Sequence, residues 1–168
     1  MLMVGNIYGY QFRATKPTKA TKPTKPTKAN DIPRWHIDGN YFNNEKSITR
    51  QQSKFLTIFK GAGTLMIDPQ PSKESMDEYD SIMKELFEKD ILIDELVKIQ
   101  LSPKFNRKID KVFANENKKQ LKNTEGLVFM VHNKKVALIH SEPPIHEDRL
   151  FISIVPAYSY EIEEWARS

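Results

Sequence analysis

Two groups of strand-like segments on either side of a helical stretch predict an α+β protein. Lys54–Lys60 and Leu65–Ile67 make the first group, and Gly126–His132, Lys135–His140 and Arg149–Pro156 the second, all rich in β-branched and aromatic residues. Between them, Met76, Tyr79, Ile82, Met83, Leu86 and Phe87 recur at three-to-four spacing opposite a charged face, the mark of an amphipathic helix. Gly- or Pro-bearing reversals at Gly61-Ala-Gly63-Thr64, Asp68-Pro-Gln-Pro71 and Pro143-Pro144 separate the strands and suit a mainly antiparallel sheet. The predicted body is residues 32–168, with a helical insertion at about 72–122.

Composition narrows the class. A chain of 168 residues makes one domain, or one domain and a tail. No apolar run reaches the roughly 18 residues of a membrane span. The opening MLMVGNIYGYQF is apolar but has no basic start and no small-residue cleavage site, so no secretory signal is expected and a cytoplasmic location is the default. The absence of cysteine excludes disulfides and thiolate metal sites. The net charge is +4, yet Lys16, Lys19, Lys22, Lys25 and Lys28 all fall in one Thr-Lys-Pro repeat. Without those five lysines the chain stands at −1. The basic character therefore belongs to residues 15–31 and not to the folded body.

Proline at that density forbids helix and central strand, so 15–31 reads as an extended, solvated spacer. Its lysines also suit a contact with nucleic acid or an acidic partner, although no aromatic is interleaved to stack on bases. Residues 1–14 read as a possible strand, weakened by Gly5 and Gly9. In the helical segment, Ser72 or Ser75 is available as N-cap, and Glu78 would complete a capping box with Ser75. Ile91–Leu101 is a further apolar stretch, and 104–123 reads as a short helix and loop. Gly61–Thr64 lacks the Lys-Ser/Thr ending of a phosphate loop and is better read as a turn. Asn133-Lys134 reads as a tight turn joining two strands that flank it. The C-terminal residues from Tyr158 read as a short helix that packs Trp165 on the body.

The residues that carry chemistry lie in two short stretches. In Arg34-Trp-His36-Ile-Asp38-Gly39, the His and the Asp are two apart on extended chain, so their side chains point to one side. A strand ending in His140 supplies a second imidazole, and after the Pro-Pro turn Arg149 opens the last strand. Two His and one carboxylate on a single face form the facial triad of non-haem Fe(II) sites. Should the strands of His140 and Arg149 pair, the guanidinium would lie near the metal and clamp a distal carboxylate in bidentate fashion. Phe151 and Ser153 share its face. His132 and His146 are alternative ligands.

His-x-Asp, a long interval, then His followed by Arg resembles the Fe(II)- and 2-oxoglutarate-dependent dioxygenase superfamily. The resemblance spans about residues 32–156 and rests on Trp-His36-x-Asp38-Gly, Phe-Lys-Gly-x-Gly-Thr64 and His140-Ser-x-Pro-Pro before Arg149-Leu. It implies a double-stranded β-helix (jelly-roll, cupin-like) core and Fe(II) on His36, Asp38 and His140. It also implies that Arg149 holds the 2-oxoglutarate C5 carboxylate, with O2 and an unidentified organic substrate completing the reaction. Ser153, Thr57, Tyr41 and Lys60 are further candidates for the cosubstrate pocket. The chain before His36 is short for this superfamily, so either residues 1–14 supply a core strand across the spacer or the barrel is minimal. Two other readings stand beside it: a cupin-like metal protein without 2-oxoglutarate, and a non-enzymatic binding module tethered by the basic spacer.

Overall fold

The computed structural model describes residues 6–7, 10–15, 32–143 and 149–167. The Thr-Lys-Pro repeat and His146 therefore lie outside the described residues, as does the side chain of Trp165. The strands are β1 (Asn6–Ile7), β2 (Tyr10–Thr15), β3 (Ser53–Lys60), β4 (Leu65–Ile67), β5 (Lys118–Gln120), β6 (Gly126–Met130), β7 (His140–Ser141) and β8 (Arg149–Ile154). The helices are α1 (Lys73–Phe87), α2 (Ile93–Gln100), α3 (Pro103–Val112) and α4 (Ser159–Trp165). The α+β expectation holds. Among the described residues, no helix is long and apolar enough to cross a membrane.

Two antiparallel sheets carry the fold, one ordered β1-β2-β8-β3-β6 and the other β5-β4-β7. A backbone bridge from His36 to His140 extends the smaller sheet beyond β7. Strand β2 pairs with β8 from Gln11↔Ser153 to Thr15↔Arg149, so the N-terminal segment does supply a strand of the larger sheet. The glycine turn at 61–64 moves the chain from one sheet to the other. Gly61 takes φ 83° there, a conformation glycine adopts without a Cβ penalty. A Cβ on Gly63 would stand 1.6 Å from the Leu121 carbonyl oxygen, which only glycine avoids.

Two cores take the inward-facing strand residues, whose side chains alternate with period two. Leu56, Ile58, Met66, Leu121, Phe129 and Val131 pack between the sheets, joined by Leu138 and Phe151. Their sequence neighbours Ile67 and Ile139 point the other way, with Trp35, into a second core made with Tyr79 and Ile82 of α1 and Ile109 and Val112 of α3. Ser72 is the N-cap of α1, accepting from the Ser75 amide, and Ser102 caps α3 in the same way. Helix α2 buries none of its residues.

Several expectations are corrected. Ser75 lies inside α1, so the Ser75–Glu78 capping box does not form. The insertion ends with α3, because 118–120 pairs with β4 as β5. All three residues of β5 are exposed, so no alternation marks it. The expected hairpin around Asn133-Lys134 does not exist. At His132 the backbone turns through φ 65°, and the chain leaves β6 in the larger sheet for β7 in the smaller one. Nor do the strands of His140 and Arg149 pair: β7 joins β4, whereas β8 lies between β2 and β3. Arg149 and His140 thus approach from opposite sheets.

Helix α4 is fastened by one buried anion. The fully buried Glu161 takes two bonds from Arg50 Nη2, at 2.7 Å to Oε1 and 2.6 Å to Oε2, and one from the Ser47 hydroxyl. The Tyr158 amide donates to its Oε2 at 2.7 Å. Burial works to raise the Glu161 carboxyl, but the bonds from Arg50, Ser47 and Tyr158 outweigh it and hold it below its ordinary value. A carboxyl lowered on folding contributes stability that is complete above its unfolded pKa and is lost as pH falls through the folded one. Arg50→Ala strands a buried charge and is expected to cost about 3 kcal/mol in urea unfolding at pH 7, the low end because Arg50 keeps some exposure. That cost should shrink as the solution is acidified through the Glu161 titration. A pH-independent difference would mean that the pair is not ionic.

Candidate metal centre

The site starts from a backbone pair. His36 N donates to His140 O at 2.9 Å, and His140 N donates to His36 O at 3.1 Å. Residues that exchange both bonds stand directly opposite, and their side chains leave the sheet on the same face. The two imidazole centroids accordingly lie 4.4 Å apart. Asp38, two residues on from His36, joins them on that face. Trp35 points to the other side, and its Nε1 donates to Asp110 Oδ1 of α3 at 2.8 Å, which anchors the stretch to the helices.

One potential ligand atom from each of His36, Asp38 and His140 lies within 4.8 Å of the other two. Nε2 of His36 is 3.3 Å from Asp38 Oδ1, and Nε2 of His140 is 3.5 Å from the same oxygen. Neighbouring ligands at right angles on a small divalent ion, each about 2.1 Å from it, stand about 3.0 Å apart, so these spacings are close to the edge of an octahedron.

The other ring nitrogens fix the tautomers. His36 Nδ1 is 2.7 Å from the Arg34 carbonyl and His140 Nδ1 is 3.2 Å from the Leu138 carbonyl. A carbonyl only accepts, so both Nδ1 atoms carry the proton and the neutral rings turn their Nε2 lone pairs toward the carboxylate. Burial, with the charge of His36, pushes His140 below its ordinary pKa despite its bond to Asp38, favouring the neutral ligand form. Three acceptors converging without a proton between them repel. A cation at their centre relieves that repulsion.

Asp38 is held as an anion in a fixed orientation. Burial opposes its ionisation, but when the rings are protonated their Nε2–H bonds and the charge of His140, with the charge of Lys54, overcome this and keep the carboxyl far below its ordinary range; with the rings neutral, Lys54 remains its counter-ion. Its second oxygen, Oδ2, accepts from Tyr41 Oη and Lys54 Nζ, each at 2.8 Å. That leaves Oδ1 as the single oxygen facing the imidazoles.

A cavity of about 230 Å³ adjoins the triad, lined also by Tyr41, Lys54, Thr64, Arg149, Phe151 and Ser153. Arg149 is 6% exposed and donates from Nη2 to Thr64 Oγ1 at 2.8 Å. Its Nε is buried with no hydrogen-bond partner, and among the described residues it forms no ion pair. Burial pulls the guanidinium below its ordinary value, with the Glu142 charge opposing. A desolvated fork with an orphaned donor fits a bound carboxylate.

The structure therefore brings His36, Asp38, His140, Arg149, Tyr41 and Ser153 to one cavity. It does not bring Thr57 there. Lys54, Leu56 and Ile58 face inward on β3, so Thr57 points outward and donates to the Glu125 carbonyl at 2.9 Å. Lys60 is exposed at the strand end, and His132 is exposed outside the cavity. Two contributors escaped the sequence reading. Lys54 was legible as a charged residue in phase with Leu56 and Ile58, whereas Thr64 lay hidden in the turn.

The triad predicts that Mn(II), a redox-silent probe, stabilises the protein by about 2.7 kcal/mol at one hundred times its dissociation constant. In His36→Ala, whose imidazole is partly exposed and not needed for packing, chemical unfolding should show no such gain. Equal stabilisation of the variant would place the metal elsewhere. No protein-family model, curated protein or solved structure matches the chain, so the functional reading rests on these side chains.

Proposed function

We propose that the protein is an Fe(II)- and 2-oxoglutarate-dependent oxygenase, a hydroxylase or demethylase of a substrate yet to be identified. The observation that carries the reading is one cavity shared by a His36–Asp38–His140 set of convergent acceptors and a buried Arg149 with an orphaned Nε. Lys54 adds a second cation to its wall, paired with Asp38. Lys54 and Arg149 stand against Asp38 and Glu142 in its lining, so a divalent ion would make the cavity net positive, which favours a small dicarboxylate.

Strand pairing supports the accompanying fold, a double-stranded β-helix. In that architecture a long antiparallel ribbon of eight strands wraps on itself, so that the first lies beside the eighth, the second beside the seventh, the third beside the sixth and the fourth beside the fifth. Counting β2 first and the stretch at His36 second, the pairs β2·β8, His36·His140, β3·β6 and β4·β5 follow this order. The pairs β8·β3 and β7·β4 join the ribbon turns within each sheet.

In the mechanism, the chain binds and orients. His36, Asp38 and His140 would hold Fe(II), which with 2-oxoglutarate and O2 as co-reactants would supply the oxidation of a substrate C–H bond to C–OH, one oxygen atom going to the substrate and the other to succinate as carbon dioxide is released. Three convergent side chains would hold the ion without enclosing it. Arg149, fixed by Thr64, receives the distal carboxylate of the cosubstrate and sets its reach toward the triad. Tyr41 and Lys54 hold Oδ2 of Asp38, so that the carboxylate would offer the ion its Oδ1 alone. Leu56 and Phe151 complete the wall with apolar surface, which limits water around the reacting groups.

The reading separates metal from cosubstrate. Arg149→Ala should bind Mn(II) within about threefold of the wild type yet lose about 100-fold or more in affinity for 2-oxoglutarate, as expected when a buried charge-assisted pair is removed. Calorimetric titration of 2-oxoglutarate into the Mn(II)-loaded protein checks this. Unchanged affinity in the variant would favour a cupin-like metal protein that does not use this cosubstrate.

A further inference from the structure

A second cavity, of about 650 Å³, runs along residues 34–39 between them and helices α1 and α3. His36 and Asp38 line both cavities, and the His36 side chain is 41% exposed, so the trough adjoins the candidate metal centre across the strand that carries His36 and Asp38. Its size is that of a pocket for a drug-sized molecule. Its walls include Trp35, Ile37, Met83, Phe87, Leu101 and Phe105. Phe87 and Leu101 remain 59% and 53% exposed, apolar surface left without a partner at the trough wall.

The charges along the trough cancel. Lys134 pairs with Asp80 at 2.7 Å, Lys84 pairs with Glu88 at 3.6 Å, and Arg34 pairs with Glu142. Among the described residues, each lysine and arginine of the trough already has a carboxylate partner. Tyr79 adds none, because burial pushes its phenol up to about 12 and it stays neutral. This contrasts with the smaller cavity, where Arg149 has no ion-pair partner among the described residues.

We propose that this trough is the substrate site of the oxygenase and that it takes an uncharged, predominantly apolar small molecule, with the bond to be oxidised presented beside His36. The inference rests on the metal-centre reading. The two cavities then divide the work, the charged one for the cosubstrate and the apolar one for the substrate.

N-phenyl-1-naphthylamine, uncharged and fluorescent when removed from water, serves as the probe. The wild-type protein should bind one equivalent saturably, and the anionic analogue 1-anilinonaphthalene-8-sulfonate should bind no tighter. Phe87→Glu and Leu101→Glu, both at exposed positions that tolerate the change, should each weaken the neutral probe about tenfold or more through the charge placed against it. Adding Mn(II) should broaden the proton resonances of the bound probe in the wild type and not in His36→Ala. Failure to bind, equal binding by both Glu variants, or tighter binding of the sulfonate overturns the substrate assignment. Uptake of Mn(II) without broadening of the bound probe overturns the link between trough and metal alone. Uptake of the probe with no uptake of Mn(II) overturns the metal reading, and the assignment of the trough with it.

Discussion

Two backbone hydrogen bonds between His36 and His140 set the register on which the site depends. A shift of one residue in either strand would turn one imidazole to the opposite face, where Trp35 and Ile139 now pack against the helices. The second core therefore guards the site. Trp35, locked by its bond to Asp110, cannot leave that core without cost, and so His36 and Asp38 are held facing the other way.

The cavity concentrates polar groups where burial is expensive. Asp38 remains ionised because Lys54 and Tyr41 satisfy one of its oxygens, and the triad leaves the other for a cation. Arg149 is the least compensated member, with one bond to Thr64 and an orphaned Nε. A protein organised for stability alone would replace such a group by an apolar one of similar volume. That uncompensated buried cation is the observation on which the proposed cosubstrate site rests.

Much of this was legible in the sequence, for reasons of local geometry. The two-residue spacing of His36 and Asp38 holds for any extended stretch, and the same period placed Phe151 and Ser153 beside Arg149. Pairing between distant segments was not legible. The chain crosses between sheets at Gly61–Thr64 and at His132, and a period-two pattern does not record which sheet a strand enters. For that reason the pairing of the His140 and Arg149 strands stood only as a condition, and in the structure β7 and β8 lie in different sheets on the walls of one cavity. Thr57 failed on parity: Lys54, two positions from Leu56 on the inward face, was the polar residue that β3 offers. The exposed Lys118–Gln120 carries no alternation, and only its pairing with β4 makes it a strand.

We propose that one cavity takes a ferrous ion on His36, Asp38 and His140 together with a carboxylate cosubstrate on Arg149. The most direct measurement is an anaerobic titration with Fe(II) and then 2-oxoglutarate, followed in the visible for a weak metal-to-ligand charge-transfer band. The account predicts a band that saturates at one equivalent of each, absent in His36→Ala and in Arg149→Ala. No band in the wild type, with the metal demonstrably bound, would contradict it.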